Sequence, residues 1–247
     1  MDFKILTKTK DKVTFQVKGI NNAYANTIRR LMMSEVPTMA IEDVEFKKNN
    51  SILYDEMVSL RLGLLPLKTD LKSIDEKSEI QFTLKAKGAG YVYASELKSD
   101  DAKCKPVFPK TPILKLLDKQ EVQLVATAKM GTGKEHMKWS PCTVHFIQEP
   151  IIKINNKSPK LNDFKDKYPS KAFDKKGLLD KKNIEDNNLV DACEGVCEEI
   201  LSVTYSEDTF IFTVEKWGQL ECNEIIAKAA EIFNNQLTEF SKLMKAK

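Results

Sequence analysis

The chain has 247 residues, of which 42% are hydrophobic and 30% charged, with a formal net charge of +3 and a pI of about 8.4. This balance is typical of a globular protein and excludes a disordered chain. The charge is too small to indicate nucleic-acid binding by itself, since the pI of a dedicated binding domain usually exceeds ~9.

Hydrophobic patterning favours a cytoplasmic protein. No apolar run approaches the ~20 residues that span a bilayer, and the N-terminal "MDFKILTKTK" lacks the apolar core of a signal peptide. The five cysteines are an odd number without the spacing of a disulfide framework, which fits a reducing compartment.

The N-terminal third begins with strands and changes to a helix. "FKILTKTKDKVTFQVKG" predicts a strand hairpin, because Val13, Phe15 and Val17 alternate with polar residues. In "INNAYANTIRRLMMSEVP" the apolar residues move to helical spacing, and Pro37 marks the end of the helix.

The middle of the chain favours β structure. "AIEDVEF", "SEIQFTLKAKG", "EVQLVATAK" and "CTVHFIQEP" are predicted strands, separated by Gly, Pro, Asp and Ser. The charged, proline-containing "KSDDAKCKPVFPKTP" is predicted to be a surface loop. From Lys153 to Asn188, Lys, Asn and Asp dominate and apolar residues become sparse.

The C-terminus predicts a strand, "DTFIFTVEKWG", followed by a long helix. The helix carries one apolar stripe: Cys222, Ile226, Ala229, Phe233, Leu237, Phe240 and Met244. At ~1.5 Å per residue, about 24 residues give a rod of roughly 36 Å. The stripe can pack on the chain's own sheet or on a partner helix, and the length favours the partner.

"GTGKEHMKWSP" resembles a phosphate-binding loop but does not satisfy its requirements. The first Gly of the motif would fall at Ala128 and the Ser or Thr at Glu135, and a strand rather than a helix follows. The two histidines, His136 and His145, have no zinc-ligand spacing. Since no other catalytic motif is present, we expect no active site.

Adjacent acidic residues in "LYDEMVSLRLG" do not form an acid–base pair. Asp55 and Glu56 point apart on a helix, so a cap or an ion pair, for example with Arg61, is favoured.

Two stretches resemble a known family. "NNAYANTIRRLMMSEVPTMAIEDVEFKKNNSILYDEMVSLRLGLLPL" closely resembles the signature of the α-like subunits of multi-subunit RNA polymerases. This family includes the bacterial α amino-terminal domain, the third-largest subunit of eukaryotic RNA polymerase II and the corresponding archaeal subunit. "GKEHMKWSP" resembles a second signature, shared by the archaeal and eukaryotic members.

The resemblance implies an α+β fold with a split dimerisation domain. Residues 1–40 and 204–247 would form that domain, residues 41–150 an inserted, mostly β domain, and residues 151–203 a degenerate ferredoxin-like insertion. It also implies a non-catalytic assembly subunit of an archaeal polymerase. The expected partners are a small α-like subunit, called L, the large catalytic subunits, especially the second largest, and small zinc-binding subunits. DNA would be contacted only indirectly, through the complex.

The resemblance also assigns interface residues. Contacts with a large subunit are expected at Asn26, Arg29, Arg30, Asp55, Glu56, Arg61, Lys134, His136 and Trp139. The alternatives are a solvated Arg pair or DNA contact for the arginines and a core position for Trp139. Contacts with the small subunit are expected at Ile28, Leu31, Ile226, Ala229, Phe233, Leu237, Phe240 and Met244.

Many archaeal members resemble a ferredoxin in a small inserted domain. Its Cys-x2-Cys-x2-Cys-x3-Cys frame, placed on "NNLVDACEGVC", falls on Asn187, Val190, Cys193 and Cys197, and "YPSKAF" has Tyr168 where a Cys-Pro element would begin. We therefore expect the insertion without an iron–sulfur cluster and no cofactor. The alternative for this segment is that two cysteines and one Tyr-Pro pair occur by chance in a lysine-rich loop. The alternative function is an iron–sulfur or redox protein.

Overall fold

The structure of the protein, a computed structural model, describes residues 1–73 and 78–245. The predicted domain ranges 41–150 and 204–247 also include residues 74–77 and 246–247, which lie outside the described residues. Helices and antiparallel sheets together make an α+β protein.

The strands, in chain order, are β1 (Asp2–Lys8), β2 (Lys12–Lys18), β3 (Thr38–Asn49), β4 (Glu79–Lys87), β5 (Gly90–Tyr93), β6 (Lys98–Ser99), β7 (Pro112–Leu116), β8 (Glu121–Gly131), β9 (Cys142–Ile154) and β10 (Leu201–Lys216). The helices are α1 (Asn22–Ser34), α2 (Asp55–Gly63), α3 (Leu161–Phe164), α4 (Lys181–Asp186), α5 (Val190–Cys193) and α6 (Cys222–Lys245). None of the helices in the described ranges combines the length and apolar character needed to cross a membrane.

The chain forms two compact units. The first unit contains Met1–Lys4, Gln16–Asn22 and Phe146–Ile211; the second contains Ile5–Phe15, Ala23–His145 and the chain from Phe212 onward. A four-stranded sheet has the order β1-β2-β10-β9 and combines strands from both ends of the chain. The predicted hairpin is present, and its alternating residues Val13, Phe15 and Val17 are buried.

The second unit is built on the sheet β3-β8-β4-β6. Its strands pair antiparallel, with Phe82 opposite Ala126 and Leu84 opposite Leu124. These inward residues and Val58 and Leu62 of α2 belong to one cluster of buried side chains, here called the sheet core. The period-2 pattern of the sequence therefore puts one face of each long strand in this core.

The first unit has a separate and smaller core, here called the insertion core. Its buried members come from short helices and turns and from the ends of β9 and β10: Ile152, Leu161, Tyr168, Ala172, Leu179, Ile184, Cys193, Ile200 and Leu201. Side-chain amides add to the backbone pairing in this region, which includes an isolated bridge between Phe173 and Leu179. Asn156 donates from Nδ2 to the carbonyl of Leu179 (2.9 Å) and accepts at Oδ1 from the amide of Leu179 (3.0 Å).

One sequence prediction was wrong in part. The predicted surface loop "KSDDAKCKPVFPKTP" contains β6, and Cys104 at its centre is fully buried in the sheet core. A single apolar residue among charges has no periodicity that would reveal its burial. The pairing of β5 with β7 was also not predicted, because both strands are short.

Candidate functional site

The stretch "GTGKEHMKWSP" connects β8 to β9 through a 3₁₀ turn, Met137–Trp139, so no helix N-terminus is available to hold a phosphate. Its glycines permit close packing rather than phosphate binding. A Cβ atom at Gly133 would collide with the carbonyl oxygen of Met33 at the end of α1. The adjacent amide of Lys134 donates to the carbonyl of Ser34 (2.9 Å). The loop is therefore fastened to the C-terminal end of α1.

Trp139 lies in the core of its own unit. Its indole Nε1 donates to the carbonyl of Lys129 (3.1 Å), and its carbonyl accepts from Oγ1 of Thr38 (2.6 Å). A Cβ atom at Gly131 would collide with the indole ring. These contacts favour the core position over the expected contact with a large subunit.

Lys138 holds the same loop against β3 and was not predicted from the sequence. Its Nζ donates to the carbonyl of Ile41 (2.9 Å), pairs with Glu42 and lies 4.4 Å from the centre of the Trp139 ring. Its position next to a tryptophan is the only sequence signal for this cation–π contact.

Lys134 and His136 remain on the surface of this loop. Both side chains are exposed, and Nδ1 of His136 accepts a hydrogen bond from the amide of Lys138 (3.1 Å). Nδ1 is therefore the acceptor nitrogen of the ring in this contact.

The acidic residues that begin α2 lie close to this loop. Asp55 and Glu56 line, together with His136, an open depression of about 730 Å³ between α2, β3 and the 3₁₀ turn. Oδ1 of Asp55 accepts from Nδ2 of Asn49 (2.7 Å). The suggested ion pair of these carboxylates with Arg61 is wrong, because Arg61 donates from Nη1 to the carbonyl of Ile113 (2.7 Å).

The arginine pair lies on α1. Arg29 donates from Nε and Nη2 to Oδ1 of Asn26 (3.2 and 2.9 Å), so Asn26 is coupled to Arg29 rather than to Arg30. Arg30 is exposed, and Leu31 is buried within the chain. Ile28 is half-buried.

The apolar stripe of α6 has two different environments. Cys222, Ile225 and Ala229 are buried, so Ile225 rather than the predicted Ile226 faces the core. Ile226 and Phe233 are half-buried, and Phe233 packs edge-on against Tyr24 of α1 with ring centroids 5.6 Å apart.

Beyond Phe233 the stripe is exposed. Leu237, Phe240 and Met244 have exposed fractions of 48%, 62% and 67%. The first half of the helix therefore packs on its own unit, and the second half presents apolar side chains that the described residues do not cover.

The predicted cluster positions do not supply an iron–sulfur ligand set. Asn187 is exposed and donates to the carbonyl of Asn183, while Val190 packs against the insertion core. Only Cys193, which is buried, and Cys197, which is half-buried, carry thiols. Within the described ranges no group of three or more His, Cys, Asp or Glu side chains is arranged to hold a metal ion.

Tyr168 fills part of the space near these thiols. Burial raises the pKa of its phenol, and the neighbouring Cys197 and Cys193 raise it further. Burial also raises the pKa of the Cys193 thiol. The raised pKa values keep the Tyr168 phenol and the Cys193 thiol neutral. Ligation of a cluster needs the opposite, because the ligand is the ionised thiolate.

Comparison with known proteins identifies the class to which this fold belongs. The sequence model of the RNA polymerase Rpb3/Rpb11 dimerisation domain matches residues 14–237, and the chain belongs to this family.

The relatives are archaeal polymerase subunits. The DNA-directed RNA polymerase subunit Rpo3 of Pyrococcus horikoshii is 36% identical over 96% of this chain and 95% of its own length. The Rpo3 subunits of Pyrococcus furiosus and Archaeoglobus fulgidus are 36% and 33% identical to this chain. Each of these two matches covers 99% of this chain and 98% of the relative. None of these names supports the iron–sulfur or redox alternative.

Proposed function

We propose that this chain is a non-catalytic assembly subunit of archaeal DNA-directed RNA polymerase, the larger of its two α-like subunits. It pairs with the small α-like subunit L and then docks the large catalytic subunits. The observation that carries this proposal is the exposed apolar half of α6, in a chain that belongs to a dimerisation-domain family.

The dimer interface is assigned to the α6 stripe together with α1. Phe240 and Met244 are large apolar side chains on a regular helix, and leaving them in water costs about 1.5–3 kcal/mol each relative to burial. Phe233, packed on Tyr24, connects this exposed half to α1, the helix that also carries Ile28. An antiparallel or crossed helix from subunit L would cover the stripe.

Contacts with the large subunits, especially the second largest, are assigned to two exposed groups. One is Arg30 with the coupled Asn26 and Arg29 on α1, where a guanidinium can bind a carboxylate through two hydrogen bonds. The other is the exposed pair Lys134 and His136 beside the acidic start of α2. Trp139 supports these surfaces from within, and Arg61, which is exposed and bound to the carbonyl of Ile113, is assigned to the same contact surface. The small zinc-binding subunits are further partners.

The proposed domain division follows the sequence ranges: 1–40 with 204–247, 41–150, and 151–203. The separate sheet and insertion cores support the distinction between the second and third ranges. In the proposed insertion, Tyr168 and apolar packing occupy the place of a cluster, which supports a subunit without a cofactor. The proposal also places the subunit in the cytoplasm, with DNA contacted only through the complex.

The dimer assignment is tested by co-expression with tagged subunit L. Phe240→Glu combined with Met244→Glu buries charge in the interface, so we expect co-purification to be lost. Glu239→Gln, on the same helix turn but outside the stripe, is the matched control and should retain L. Full co-purification of the double variant would contradict the proposal.

The large-subunit assignment has its own test. Arg30→Ala should leave the heterodimer with L intact but weaken its assembly with the large subunits, measured by reconstitution on the tagged heterodimer. Lys228→Ala, on α6, is the control. Unchanged large-subunit binding by Arg30→Ala would remove that residue from the interface.

A further inference from the structure

Helix α2 is apolar on two opposite sides. Val58 and Leu62 face the sheet core and are fully buried. Met57, Leu60 and Leu64, here called the outer stripe, are exposed by 47%, 55% and 57%. A surface helix normally turns polar residues to water on the side away from the core, so the outer stripe needs a separate explanation.

The outer stripe is a continuous ridge. Its members are three and four residues apart, which places them within roughly 60° of one another around a helix of about 3.6 residues per turn. Tyr54, at the N-cap of α2, extends the apolar surface and is exposed by 79%. A ridge with this spacing is the surface that packs against a second helix.

The depression beside this ridge is acidic. Leu60 and Leu64 line it together with the carboxylates of Glu42, Asp55 and Glu56, against the single ammonium of Lys138. That ammonium is already bound to Glu42 and to the carbonyl of Ile41. The excess negative charge favours a partner that carries Lys or Arg beside its apolar residues.

A partner strand fits this place less well than a partner helix. β3 lies at the edge of its sheet, but its register shifts between Ile41 and Asp43 and again between Phe46 and Lys48. The carbonyl of Ile41 is also taken by Lys138. Strand addition needs a regular row of free backbone groups, whereas a helix needs only the apolar ridge.

We infer that the outer stripe of α2 docks an amphipathic helix from another polymerase subunit, with apolar residues at helical spacing and Lys or Arg along its flank. This inference rests on the proposed function and specifies the kind of element that binds at Asp55 and Glu56. The site is separate from the α6 stripe, so subunit L remains bound when the outer stripe is altered.

The test uses the polymerase purified through a tag on this chain. A photo-crosslinking amino acid at Leu64 should join the chain to one helical segment of another polymerase subunit, found by mass spectrometry of the crosslinked peptides. Leu60→Ser combined with Leu64→Ser should weaken that contact roughly 100-fold. A crosslinker at Met57 in the double variant should then lose its inter-subunit product.

The matched control is Leu117→Ser combined with Leu178→Ser, two leucines that are also exposed. It should keep the Met57 crosslink, and subunit L should co-purify with every variant. In a complete complex, a crosslink to a strand, to a second copy of this chain or to no subunit would overturn the inference and leave the proposed function standing. If the wild-type chain brings down no polymerase subunit, both fail.

Discussion

The sheet core and the insertion core are stabilised in two different ways. In the sheet core, β4 and β8 pair without interruption from Glu79 opposite Lys129 to Lys87 opposite Glu121. In the insertion core, buried side chains come from helices such as α3 and α5, of four residues each. Short helices are not stable by themselves, so the insertion depends more on individual side chains and is expected to open at a lower free energy.

The largest effect is expected in the sheet core. Phe82→Ala removes a fully buried ring from the centre of β4 and should lower the free energy of unfolding by about 3–5 kcal/mol, measured by denaturant titration. Thr83→Ala, the next residue on the exposed face, should cost far less. Equal losses would show that the sheet core is not the main source of stability.

In the insertion core, Ile184→Ala should cost about 2–4 kcal/mol, because the fully buried side chain lies on α4, which can shift to fill part of the cavity. Hydrogen exchange should report the loss in residues 151–203, with the amides of β4 and β8 still protected. The exposed Asp186→Ala on the same helix is the control. Exchange that accelerates equally in both cores would mean that they unfold together.

An intermediate effect, confined to alkaline pH, should come from a buried thiol of the sheet core. Burial raises the pKa of the Cys104 thiol to about 12, and the charge of Asp101 adds to this effect. The thiol ionises at lower pH in the unfolded chain than in the native one, so stability is fully present below about pH 9 and falls as the pH rises towards 12.

Cys104→Ala should therefore reduce the alkaline slope of stability, measured by denaturation midpoints between pH 8 and 11. Burial also raises the pKa of the Cys142 thiol to about 12, so part of the alkaline slope of stability should remain in this variant. Val122→Ala, a buried truncation without a titrating group, should lower stability and keep the slope. An unchanged slope in Cys104→Ala would contradict the assignment.

The smallest effect is expected for Tyr168→Phe, which should raise stability where the other substitutions lower it. The buried hydroxyl of Tyr168 makes no hydrogen bond of normal geometry within the described residues. Tyr168→Phe removes this polar atom and should stabilise the insertion by about 1 kcal/mol, seen as slower exchange there. Tyr205→Phe loses a hydrogen bond to Glu194 (2.7 Å) and should not stabilise. Destabilisation by Tyr168→Phe would show that the hydroxyl has a partner.

The long strands and helices could be predicted from the sequence because their apolar patterns repeat over many residues. The hairpin, α1, β3, β4, β8, β9, β10 and α6 all follow from apolar spacing. The insertion core could not be predicted in this way, since residues such as Leu161, Tyr168 and Ile184 are far apart and lie on separate short elements.

The candidate site was only partly predictable for a related reason. Motif resemblance selected residues 55–56 and 134–139, but spacing along the chain cannot show that Asp55 and His136 share one depression or that Trp139 points inward. The roles of Arg61 and Lys138 depend on backbone carbonyls of Ile113 and Ile41, which have no side-chain signature in a sequence. The outer stripe was visible only once α2 had a defined buried side.

The neighbouring positions of β2 (Lys12–Lys18) and β10 (Leu201–Lys216) in one sheet have a consequence for synthesis on the ribosome. The early hairpin must wait for about 200 further residues, roughly 10–40 s at 5–20 residues per second, before its sheet can close. The sheet core, whose strands end at Gly131, emerges and can fold well before then. The α6 stripe follows the sheet core along the chain, so a subunit that pairs through it would meet a chain whose sheet core has already emerged.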